Sequence, residues 1–198
     1  MGVSSRKNIL MMVLGLAWVT TPIDSHAAHV RELSLSQMVE RSQVITQAHV
    51  VAVRAHRSAH NPKRVVTTVT VQIQRVFRHD RVVGPGAFET FVVPGGVVGR
   101  YGQKVSGSPR FQVGQEVIVL LQRHPALDWL MPVGLAQGRY VIDRSLPKRP
   151  IAIRDRRGLT LMRSQPSGPW IRVPSVPAIE RQPLAELLKR LGRLVKNP

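Results

Sequence analysis

The residues best able to do chemistry gather in "PGGVVGRYGQKVSGSPRF", Pro94 to Phe111, which holds five glycines, two prolines and three cations. A glycine-rich loop can turn its backbone amides toward a phosphate. Arg100, Tyr101, Lys104 and Arg110 would add a basic, aromatic-bearing rim. The spacing, however, is not that of a phosphate cradle. A P-loop lysine follows glycine and precedes Ser or Thr at the start of a helix, whereas Gly102-Gln103-Lys104-Val105 runs toward a proline. Nor does "GVVGRYG" fit a dinucleotide fingerprint, which needs a strand-to-helix turn. The glycines are read as permitting positive φ in a wide connection between strands. The four side chains stand as candidate binding residues.

Other reactive groups are sparse. His56 and His60 have the i, i+4 spacing of a metal pair, but that spacing works on a helix and "HRSAHNP" reads as a turn. No acidic third ligand is near, so no metal is expected. HExxH and GxSxG are absent, and Ser106 and Ser108 beside Lys104 are ordinary turn residues. The 11 carboxylates are scattered, which leaves a paired acid and base hard to assemble. Glu116, at the opening of an apolar run, is expected to accept hydrogen bonds from turn amides. With no cysteine in the chain, disulfides, thiolate metal sites, cysteine nucleophiles and a cysteine-linked lipid anchor are excluded. A non-enzymatic protein without cofactor is the expectation.

The elements that would carry these residues begin with an export signal. Arg6 and Lys7 precede the uncharged run Ile9 to Val19, and Ser25 and Ala27 supply a small-x-small exit, the order of a secretory signal peptide. Eleven apolar residues span about 16 Å as a helix, roughly half a bilayer core. Residues 1–27 are therefore expected to be cleaved, sending a soluble chain from Ala28 to the periplasm or the exterior. Ser34 and Gln37 form a capping-box pattern before a short helix with Leu35, Met38 and Val39. "VITQAHVVAVRAH" reads as a β-branched strand. "VVTTVTVQIQRVF" alternates, with Val65, Thr67, Val69, Val71 and Ile73 on one face. "AFETFVV", "GQEVIVLLQ" and "LMPVGLAQGRYVID", split near Gly134, complete a set of short strands with Gly/Pro turns. The fold class expected is mainly β: a small antiparallel OB-like β-barrel over 28–143, with a short N-terminal helix and a C-terminal amphipathic helix.

The succession "LSLSQMVERSQVITQAHVVAV", "VTVQIQRVF", "FQVGQEVIVLL", "GLAQGRYVI" resembles a frame seen in uncharacterised secreted bacterial proteins. That frame is similar to the OB-like barrel of the netrin and tissue-inhibitor-of-metalloproteinase modules. The resemblance covers about Leu33 to Asp143 and implies a fold more than a function. This chain has "QAHVVAV" where the pattern carries a glycine, and it lacks the N-terminal cysteine with which the inhibitors grip a zinc. An N-terminus at Ala28-His29 could offer an amine and an imidazole in its place.

Past Asp143 the texture changes. Seven prolines fall between Pro147 and Pro183, so 144–177 reads as a Pro/Arg-rich extension and linker. Within it "PKRPIAIRDRRGLTLMR" has the look of a hairpin turning at Arg156-Arg157-Gly158, and "SQPSGPW" reads as linker. Over 178–198 a basic amphipathic helix gathers Leu184, Leu187, Leu188, Leu191, Leu194 and Val195 on one side. Lys189, Arg190, Arg193 and Lys196 face away. From Ala28 onward 27 basic residues stand against 10 acidic, a net +17; 13 and 3 of these lie in 144–198. Such a field attracts anionic polymers and membrane surfaces, although arginine outnumbers lysine 23 to 6, which a GC-rich genome also produces. Two readings follow: a secreted module binding another exported protein, such as an extracellular protease, or a binder of polyanions or the envelope surface. No specific nucleic acid is expected.

Overall fold

A computed structural model describes residues 27–165, 168–174 and 176–196; the signal peptide expected over 1–27 lies almost wholly outside them. In chain order the first strands are β1 (Ala28–Arg31), β2 (Val44–Arg57), β3 (Val65–Arg78), β4 (Phe88–Pro94), β5 (Gly96–Val98) and β6 (Tyr101–Gln103). They continue as β7 (Glu116–Arg123), β8 (Leu130–Pro132), β9 (Arg139–Asp143), β10 (Ile151–Asp155), β11 (Leu159–Gln165), β12 (Gly168–Arg172) and β13 (Ile179–Pro183). Helix α1 (Leu35–Arg41) lies between β1 and β2, and α2 (Leu184–Lys196) follows β13. The protein is mainly β, with antiparallel sheets and a C-terminal helix.

Helix α1 begins where its capping box places it. Ser34 Oγ accepts from the Gln37 amide at 3.2 Å, and Gln37 Oε1 accepts from the Ser34 amide at 3.0 Å. The main sheet runs β13-β10-β9-β7-β2-β3-β4, all antiparallel, with β8 sharing the β9 edge of β7. Strands β8 and β9 are separated by a tight 3-10 turn, Leu135–Gly138. At its end a Cβ on Gly138 would come within 2.6 Å of the Val133 carbonyl and 2.9 Å of the Leu120 carbonyl, so only glycine fits.

The expected closure into a barrel is not made by hydrogen bonds among the described residues. β4 packs against β8 without a ladder. The free edge of β9 is taken by β10 and then β13, which carry the chain on to α2. Irregularities in the β2–β3 register between Ile45 and Ala52 bend these two long strands and curl the sheet.

The curled sheet is buried on both faces. Val44, Ala48, Val69, Val71, Phe91, Val117, Val119 and Leu121 form the core on the inside. Ile45, Ile118, Leu120, Tyr140 and Ile142 face outward into a second core, closed by Met38 and Val39 of α1 and by Leu184, Leu187 and Leu191 of α2. Strand β7 serves both cores and is buried along Glu116–Leu121, which explains its unbroken apolar run.

Three readings of the C-terminal sequence need correction. The segment 144–177 is not a linker, because β10 joins the main sheet and β11 and β12 form another. Arg156-Arg157-Gly158 does turn the chain, but β10 and β11 do not pair. β10 finds β9 and β13, while β11 lies parallel to β1 and antiparallel to β12. The helix expected over 178–198 starts only at Leu184, since Ile179–Pro183 is drawn into the ladder beside β10.

Candidate functional site

The glycine-rich stretch is a brace between sheets. β5 and β6 form a small hairpin, and Gly95, Gly99 and Gly107 have φ of 90°, 58° and 72°. Gln103 Oε1 accepts from the Val65 amide at 2.6 Å, and Ser108 Oγ donates to the Pro94 carbonyl at 2.7 Å. Arg100, Tyr101, Lys104 and Arg110 are all exposed. The structure places the Arg57 guanidinium 5.1 Å over the Tyr101 ring. Among the described residues no interaction joins Arg100, Lys104 and Arg110.

The remaining reactive groups also have structural partners. His56 lies on β2, not on a helix, with Nε2 2.7 Å from Thr68 Oγ1, and His60 packs its ring 5.2 Å from that of Trp129. Among the described residues no group of three or more His, Cys, Asp or Glu is placed to hold a metal. Glu116 does not serve turn amides. It accepts from Gln47 Nε2 at 2.7 Å and from both ends of the Arg144 fork. A buried histidine that sequence reasoning passed over, His79, lies 2.7 Å from Glu89 and 3.1 Å from Asp80. Arg81 and Arg123 hold those two carboxylates in ion pairs, which leaves neither free as a base.

The densest charge lies elsewhere, where strands β1, β9, β10, β11 and β13 meet both helices. Arg154 on β10 stands opposite Glu180 on β13 in the ladder, and its Nε donates to Glu180 Oε2 at 3.0 Å. Arg156 Nη2 lies 3.4 Å from the same oxygen and donates to the Pro177 carbonyl at 2.9 Å. The Arg154 guanidinium also lies 5.2 Å from the Tyr140 ring centre. Burial raises the Tyr140 hydroxyl above its ordinary value although Arg154 opposes this, so the phenol stays protonated.

Arg31 of β1, Arg163 of β11 and Arg190 of α2 line the same cavity, about 490 Å³ in volume. Buried Gln137 fixes the β1 end by donating to the Arg31 carbonyl at 2.9 Å and accepting from the Leu33 amide at 3.0 Å. Arg163 bonds Glu32 at 2.5 Å. A second hollow of about 560 Å³ adjoins the first through Arg156 and adds Arg157 and Arg172.

Of the helix residues singled out from sequence, Leu187 and Leu191 are fully buried in the outer core and Leu188 packs against it. Lys189 and Arg193 are exposed, and Arg190 alone turns toward the cavity. The cavity arginines come from β1, β10, β11, α2 and a turn, so no local spacing announces them. All but Arg31 leave one trace in the sequence, the excess of positive charge over 144–198. Comparison with protein-family models, curated proteins and solved structures gave no match.

Proposed function

We propose that the protein is an exported, non-catalytic binding module whose partner is anionic. One observation carries this reading. Arg31 and six of the 13 cations in 144–198 converge on two hollows that share Arg156. Codon bias raises arginine content but has no means of gathering it from separate elements onto one region. The apolar face of α2 lies in the protein's own core, so attraction rests on guanidinium groups and not on an inserted helix.

The test is titration with a sulfated polysaccharide at low and high salt, beside a triple variant Arg157→Gln, Arg172→Gln, Arg190→Gln. Binding should weaken steeply with salt, as for any partner that displaces counterions. The triple variant should bind at least about tenfold more weakly, roughly the effect of one charge-assisted contact. Salt-independent binding, or none, would refute the reading. Export is tested separately: N-terminal sequencing of material outside the cytoplasm should begin at Ala28.

A second reading, a protein partner, rests on β12. This strand closes an edge of its sheet, and Trp170 and Ile171 on it are 51% and 40% exposed. An extended peptide could add to that edge. Replacing Trp170 by Ser should then abolish capture of the partner while leaving polysaccharide binding intact.

A further inference from the structure

The first hollow holds more than a diffuse field. Arg154 and Arg156 are only 9% and 7% exposed, and buried ions are costly unless fully paired. These two share a single carboxylate, Glu180. Among the described residues, Arg154 Nη1 and Arg156 Nε have no hydrogen-bond acceptor. Arg190 enters the same space without an ion pair among the described residues, and its Nη1 donates to Gln182 Oε1 at 3.4 Å. Arg31 adds a further cation, and Arg163 is already neutralised by Glu32. Around this cavity five guanidinium groups face two carboxylates, which leaves three positive charges without a counterpart.

The imbalance is built into the fold. Burial and the neighbouring Arg154 charge both depress the Arg156 guanidinium below its ordinary value, although arginine keeps its proton in proteins. The group therefore remains a cation in want of an anion. Planar forks of N–H donors match carboxylate and phosphate oxygens, two bonds at a time. The volume, about 490 Å³, lies inside the roughly 300–1,000 Å³ of small-molecule sites. It is too small for more than the end of a polymer.

We infer that this cavity is a binding site for a small multivalent oxyanion, a phosphate- or carboxylate-bearing group that completes the charge compensation Glu180 leaves short. The inference rests on the reading of the C-terminal arginines as anion-binding and narrows it to one subsite and one ligand class. Glu180 is then a competitor held in place: it neutralises the buried pair in part and repels any anion that arrives.

The experiment uses the exported form of the chain, with pyrophosphate and citrate as probes and sodium chloride at matched ionic strength as reference. Calorimetric titration and thermal melting are followed for the wild type, Glu180→Gln, Arg190→Met and the loop variant Arg110→Met. The expected result is a saturable rise in melting temperature with one or both probes, beyond that with chloride; which probe binds tighter identifies the head group. Glu180→Gln should melt lower without anion and gain more from it than the wild type. Arg190→Met should lose about tenfold in affinity, the equivalent of one charge-assisted hydrogen bond, while Arg110→Met binds as the wild type does. If Glu180→Gln fails to fold, the comparison of Arg190→Met with Arg110→Met decides alone. Gains no larger than with chloride, or equal affinities for those two variants, would overturn the subsite. Polysaccharide binding that persists in that case would leave the broader reading standing, and its loss as well would remove both.

Discussion

Arg144 holds Glu116 with both ends of its guanidinium: Nε lies 2.6 Å from Oε2 and Nη2 lies 2.8 Å from Oε1. The pair ties the residue after β9 to the opening of β7, and Gln47 of β2 donates to the same carboxylate at 2.7 Å. Three chain segments are thus fastened at one end of the sheet.

The Arg144 hydrogen bonds hold the Glu116 carboxyl below its ordinary value of 4.5, although burial pushes the other way. The sign of the pH dependence follows. A carboxyl whose folded value is depressed stabilises the fold above its unfolded value, and that contribution disappears as pH falls through the folded value. Glu116→Gln should therefore cost about 1–2 kcal/mol at neutral pH, the lower part of the range for charged hydrogen bonds because Arg144 is half exposed. Urea denaturation across pH should show this difference shrinking in acid, below pH 4.5. A difference independent of pH would mean that the carboxylate charge is not what stabilises this corner.

Val71, on the alternating face of β3, is fully buried between Val50 and Glu89 in the ladders. An unpaired carboxylate there should cost several kcal/mol, comparable with the whole stability of a domain, and Val71→Asp should fail to fold. The neighbouring Gln72→Asp, on the exposed face, should stay within about 0.5 kcal/mol of the wild type. Equal melting temperatures for the two variants would contradict the assigned faces.

Those faces were legible because alternation is local. Val69, Val71 and Ile73 repeat at the strand period and all three are buried, Val69 and Val71 in the inner core. Ser34 and Gln37 announced α1 in the same way, since both halves of a capping box lie within one turn. Legibility ended where partners are distant. β1 was invisible because Ala28–Arg31 has no pattern of its own and gains its ladder from β11, with Glu32 and Arg163 bonded across 131 residues. That same pairing draws β11 away from β10 and defeats the hairpin expected at Arg156-Arg157-Gly158. The cavity was hidden for the same reason: Arg31, Arg154 and Arg190 become neighbours only after two sheets and a helix have packed.

Gly107 gives one glycine of the glycine-rich stretch a structural reason. Its φ is 72°, and a Cβ there would sit 1.9 Å from Leu159 Cδ2. The Gly107 carbonyl also accepts from the Ala136 amide at 3.1 Å. Gly107→Ala should cost about 2–4 kcal/mol, combining left-handed backbone strain with overpacking. At Gly99, with φ of 58° and open space around the missing Cβ, the same change should cost about 1–2 kcal/mol of backbone strain alone. Chemical denaturation of both variants measures the contrast, and equal losses would show that contact with β11 adds nothing.

Helix α2 separates attachment by insertion from attachment by charge. Leu184, Leu187 and Leu191 are buried against α1 and the sheet, each stabilising the fold by roughly 1.5–3 kcal/mol. To lie in a membrane the helix would have to surrender those contacts and bury the same leucines in lipid, with little net gain. Leu187→Ala should cost about 2–5 kcal/mol, as cavity-forming changes do, and Lys189→Ala less than about 0.5 kcal/mol. Truncation after Pro183 should lower the melting temperature sharply by opening the outer core. Any sedimentation with anionic vesicles should then be released by salt and should not change with Leu188→Ala, a substitution on the partly covered edge of the apolar face. Vesicle binding that resists salt and falls with Leu188→Ala would show that the helix leaves its own core to enter the bilayer.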